Sequence, residues 1–184
     1  PHQVADALQA DLGVSTSIVP ENSGDFELSD ADVERLATYL RLLGLPGRRD
    51  VDDPNVREGE RLFSELGCVG CHAPSARTDD SHPFVELRDQ ELRPYSDLLL
   101  HDLGPNLDDG SGTPTAREWR TPPLWGIGLL EVVMDEPRYL HDGRARSLLE
   151  AVLWHGGEAA AAQARVVALD RTQREQLLAF LRSL

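Results

Sequence analysis

Apolar positions recur three and four residues apart along Val33, Leu36, Tyr39, Leu40 and Leu43, the spacing of one face of a helix. Ser29 with Asp32 three residues on forms a capping-box signature at its start. Gly44, just ahead of Pro46, marks its end. A short helix is expected over 2–12, and residues 13–27 read as loop because Gly13, Pro20, Asn22, Ser23 and Gly24 break any period. Residues 45–54, rich in Pro, Gly and charge, read as a linker. The next helix, over about 55–67, carries Val56, Gly59, Leu62, Phe63 and Leu66 on one side. Helical spacing returns in 146–155, through Leu148, Leu149, Val152 and Leu153. It recurs in 170–183, through Leu177, Leu178, Phe180 and Leu181. After the 55–67 helix and ahead of these two, 73–123 holds many prolines and little periodicity, and is expected to be extended loop around a short helix near 95–101. The pattern predicts an all-α fold with long loops.

Chemistry enters at the end of the 55–67 helix. Cys68-Val69-Gly70-Cys71-His72 contains the only two cysteines of the chain and has the C-x-x-C-H form that attaches a c-type haem. Two thiols at this spacing can add across the vinyl groups, and the adjacent imidazole can reach the iron. Three other readings fit the residues less well. A zinc site wants four ligands, commonly from a second short-spaced Cys/His pair, and none is present. A thioredoxin-like pair belongs beside a βαβ pattern, which is missing around residue 68. A structural disulfide leaves His72 unexplained. One covalent haem c is therefore the expected cofactor. Because such haem is attached outside the bacterial cytoplasm, the chain is expected to be exported and periplasmic.

Composition agrees with a buried prosthetic group, since aromatic residues are only 5% of 184 and a porphyrin would add apolar area to a thin core. The net charge is −14, from 18 basic and 32 acidic residues. Nucleic-acid binding is thus disfavoured, and a redox partner protein should present a basic face. No apolar run is long enough for a membrane span. The first residues lack the charged and apolar regions of a secretory signal, so the chain is expected to start after processing or truncation.

Four segments carry a resemblance: Tyr95 to Gly104, Trp119 to Gly126, Tyr139 to Ala145 and Ala151 to Ala159. From about residue 28 onward the chain resembles the C-terminal half of the di-haem oxidoreductases, a peroxidase-like family similar to bacterial di-haem cytochrome c peroxidases. The resemblance implies a cytochrome c-like haem domain over 54–184. It also implies that 1–53 is the helical end of a preceding domain, because the helices near 29–43 and 170–183 share the layout Leu, cap, charged turn, then Leu-x-x-aromatic-Leu-Arg. Only one C-x-x-C-H is present, so a second haem would lie on another domain or chain. Electron transfer within a di-haem peroxidase-like oxidoreductase is the expected role. A self-sufficient peroxidase or oxidase and a haem-bearing docking subunit stay open, and no catalytic residue is assigned.

The resemblance further implies iron ligands. His72 is proximal, and His155, at the far end of the helix that follows His141-Asp142-Gly143, is the expected distal ligand. Met134, the only methionine, is the main rival, and His101, His141 or an open sixth site stay as alternatives. Gly104-Pro105-Asn106-Leu107 resembles the segment of small cytochromes c in which a proline carbonyl accepts from the proximal histidine and a leucine packs on the porphyrin, which assigns those parts to Pro105 and Leu107. Arg120, Arg144 and Arg146 are candidate partners of the haem propionates, since guanidinium groups pair with carboxylates in two-point geometry. His141 and His101, each followed by Asp142 or Asp102, suit an orienting role around the cofactor.

Overall fold

The computed structural model describes residues 1–19 and 26–184, so the part of the expected loop over 20–25 lies outside the described residues. The chain divides into two units, Pro1–Leu45 and Pro46–Leu184.

The first unit pairs α1 (His2–Leu12) with α2 (Asp30–Leu42). Gly13, left-handed at φ 68°, ends α1, its amide donating to the Gln9 carbonyl and that of Val14 to the Leu8 carbonyl, a conformation that suits glycine. The capping box of Ser29 and Asp32 forms as the sequence implied. Burial follows the pattern only in part. Val33 and Ala37 are buried, whereas Tyr39, Leu40 and Leu43 of the expected stripe are exposed.

In the second unit, α3 (Pro54–Glu65) packs along α7 (Arg171–Ser183). Asp53 caps α3, and Asp170 with Gln173 forms a capping box on α7. Gly59 permits the approach, because a Cβ there would lie 2.0 Å from the Gln176 carbonyl oxygen. Phe63, Tyr95 and Phe180 form an aromatic cluster at this crossing, with centroids 5.1 to 6.0 Å apart. Leu62, Leu148, Val166, Leu177 and Leu181 extend the core around it. The expected linker residues Arg48 and Arg49 are held against this unit, Arg48 by a two-point pair with Glu60 and Arg49 by its backbone on Ser183.

The all-α expectation is overturned. Helices make up 47% of the chain in seven α-helices among the described residues, and two small antiparallel sheets accompany them. Strand β1 (Ala76–Arg77) pairs with β2 (Glu91–Leu92), and β3 (Leu100–Asp102) pairs with β4 (Glu118–Arg120) in the register Leu100 to Arg120, His101 to Trp119 and Asp102 to Glu118. No helix forms over 95–101, where Tyr95 and Leu98 take positive φ and Leu100 enters β3. Ladders of two and three residues are too short to write an alternating pattern into the sequence. Between the expected elements lie two that periodicity did not flag, α4 (Leu130–Val133) and α6 (Ala160–Val167), alongside α5 (Leu148–Trp154).

Candidate haem site

Helix α3 delivers the chain through Gly67, at φ 87°, into a tight turn over Cys68–Gly70. The His72 amide closes that turn by donating to the Cys68 carbonyl at 2.9 Å. The fold thus presents both thiols and the imidazole on one wall of a cavity of about 400 Å³. Val152 and His155, from α5 and its end, line it too, together with Leu124, Ile127, Leu148, Leu177 and Leu181. That is a mostly apolar space with a few polar groups, the usual composition of a cofactor site.

His72 and His155 face one another, with ring centroids 6.4 Å apart. The Nδ1 of His72 lies 2.9 Å from the Tyr95 carbonyl oxygen, and that of His155 lies 2.7 Å from the Ala151 carbonyl oxygen. A carbonyl only accepts, so each Nδ1 carries the proton and each Nε2 keeps the lone pair a metal needs. Burial lowers both imidazole pKa values, that of His72 to about 4, and keeps the rings neutral. Two metal–imidazole bonds of roughly 2 Å each, with the ring radii added, place the centroids about 6 Å apart. The pair therefore fits a bis-histidine iron. Burial also pushes the Cys68 thiol up to about 11 and raises that of Cys71, so both stay as thiols rather than thiolates.

The model of the family described as "Di-haem oxidoreductase, putative peroxidase" matches residues 4–184. The chain belongs to the di-haem oxidoreductase family. The match begins well before residue 28, where the sequence resemblance was first legible. A search among curated proteins finds no match.

Around the histidine pair of this di-haem oxidoreductase, the other expected residues fall into three groups. Arg120, His141 and His101 line the cavity. His141 stacks on Trp119 at 4.9 Å and 14°, and burial lowers its pKa. Its neighbour Asp142 pairs with Arg144 instead. His101 sits between two carboxylates, with Nε2 2.8 Å from Asp97 and Nδ1 2.9 Å from Glu158. Asp102 is not its partner, although the Asp102 amide donates to the same Glu158.

The second group lies near the cavity without lining it. Pro105 opens a tight turn over Pro105–Leu107 and does not receive the His72 proton, which goes to Tyr95; the expected proline pairing is corrected on this point. Leu107 is buried, and its carbonyl accepts from the Trp119 indole at 2.6 Å. Arg144 is engaged by Asp142 and by the Asn106 carbonyl, with its guanidinium 5.1 Å from the Trp154 ring. The third group is remote. Met134 is 44% exposed beyond the end of α4, and Arg146 pairs with Glu150 on the surface.

Two contributors carried no sequence signal. Arg165 of α6 lines the cavity and donates to the Leu66 carbonyl at the mouth of the haem motif. The Tyr95 carbonyl could not be read from residue types, because every residue has one and only the backbone path aims it.

Proposed function

We propose that this di-haem oxidoreductase chain binds one haem c through Cys68 and Cys71, with His72 and His155 as its axial ligands, and serves electron transfer. The observation that carries the reading is the pair of neutral imidazoles 6.4 Å apart across the cavity that both cysteines line. The haem would supply a one-electron couple whose potential depends on its axial ligands and surroundings. Each residue has a part in holding it. The two thiols would hold the macrocycle in place, and the two carbonyl-bonded imidazoles would ligate its iron and so keep peroxide from it. Arg120, on the cavity wall with no ion-pair partner among the described residues, is suited to a propionate. His141, stacked on Trp119, would form a flat flank beside it.

In this reading the chain works beside a second haem on another domain or chain, in the periplasm. Its acidic charge suits a redox partner with a basic face. Electron paramagnetic resonance of the oxidised protein tests the assignment. A low-spin bis-histidine signal is expected, turning high-spin in His155→Ala. A high-spin signal in the unaltered protein would sink it and point instead to an open, peroxide-accessible iron.

A further inference from the structure

We infer that Tyr95 is a positioning residue for the axial ligand His72, its backbone carbonyl aimed by a side chain locked to Glu60 and Arg48. The inference rests on the ligand reading above and goes beyond it.

Three observations carry the argument. First, Tyr95 is almost wholly buried yet has φ 49°, the left-handed region that a residue with a Cβ enters only when its surroundings hold it there. Its carbonyl lies 2.9 Å from His72 Nδ1. Secondly, the side chain is fixed at both its ring and its tip. The ring packs edge-on against Phe63 and Phe180. The hydroxyl donates to Glu60 Oε1 at 2.9 Å, and Arg48 closes on both oxygens of that carboxylate at 2.8 and 2.9 Å. A guanidinium has only donors, so the Glu60 carboxylate accepts from Arg48 and from the tyrosine hydroxyl alike, which fixes the donor and acceptor roles. Thirdly, the residues after Tyr95 are tied to the haem motif. The Ser96 amide donates to the Ala73 carbonyl and the Asp97 amide to the Cys71 carbonyl, each at 2.9 Å, and the Ser96 hydroxyl donates to the Thr121 carbonyl at 2.7 Å. The carbonyl facing His72 therefore has little room to turn while the tyrosine tip stays anchored.

A hydrogen bond from Nδ1 makes the imidazole a stronger base and favours the higher oxidation state of the metal it binds. Loosening the anchor should therefore weaken that bond and raise the haem potential. Tyr95→Phe removes the hydroxyl and keeps the ring. A shift of about tenfold in the ferric-to-ferrous balance is expected, ~59 mV for a one-electron couple. The low-spin spectrum should remain, and the His72 Nδ1 proton, followed in histidine labelled with nitrogen-15, should exchange faster. Glu60→Gln should move the potential in the same direction and by less, and it carries the test alone should Tyr95→Phe not fold. Val56→Ala is the structural control, because Val56 is buried on the same helix as Glu60 but belongs neither to the cavity lining nor to the aromatic cluster; it should lower the melting temperature without moving the potential. The inference is overturned if the anchor variants leave the potential where it was, or if Val56→Ala shifts it equally. If the unaltered protein is not low-spin bis-histidine, the ligand reading falls first and this inference with it, a result distinct from a low-spin protein whose potential ignores Tyr95.

Discussion

His155 is the residue whose replacement says most. In the proposed site its imidazole would close one face of the iron, so His155→Ala should give a high-spin spectrum, while Met134→Leu should leave the spectrum unchanged because Met134 lies outside the cavity. Acid offers a second check on the same pair. Burial lowers both imidazole pKa values, so the folded protein resists protonation as pH falls through the ordinary 6.5. The low-spin spectrum should persist below that point, because an Nε2 that binds a metal must release it before taking a proton. Conversion already complete at 6.5 in an optical titration would contradict this. The residue types of this site were legible in C-x-x-C-H. The identity of the carbonyl behind His72 was not, since Gly104-Pro105-Asn106-Leu107 carries the familiar segment and yet the proton goes to Tyr95.

Elements bring these residues together, and two glycines control how closely they meet. At Gly59 a methyl group would collide with the Gln176 backbone of α7. Gly59→Ala should therefore destabilise the second unit by about 1–3 kcal/mol, measured by denaturant unfolding. Gly157, at φ 50°, lies where a Cβ would come 2.2 Å from the Asp102 carbonyl oxygen, so the loop after His155 sits directly on the end of β3. His101 joins the same two segments through Asp97 and Glu158. Hydrogen bonds that the protonated ring donates to Glu158 and then Asp97 raise its pKa, so its contribution is complete below 6.5 and is lost as pH rises through the raised value. The carboxylates act in the opposite sense. Their pKa values are lowered from 3.8 and 4.5, and their contribution fades as pH falls through the lowered values. The junction should be tightest between about pH 4.5 and 6.5, and hydrogen exchange at the Asp102 amide should quicken above that window. The long helices were legible because capping residues and a 3.6-residue period mark them. The strands over 76–120 were not, because their pairing is made by distant residues rather than by a local pattern.

At the scale of the whole molecule, a net charge of −14 gives the chain a field felt by any diffusing partner. Electron exchange with a basic redox protein should slow as ionic strength rises, and with an acidic one should quicken, in stopped-flow measurements. Charge and composition belong to the sequence alone, as do the haem-binding motif, the helix caps and the main amphipathic helices. Each is set by residues close together in the chain, where spacing is geometry. Tertiary structure alone decided that His155 faces His72 and that Met134 does not. It also decided that Tyr95 rather than Pro105 holds the His72 imidazole, and that short strands brace the segment after the motif. Those outcomes depend on backbone paths and on contacts between segments dozens of residues apart, which no local pattern encodes.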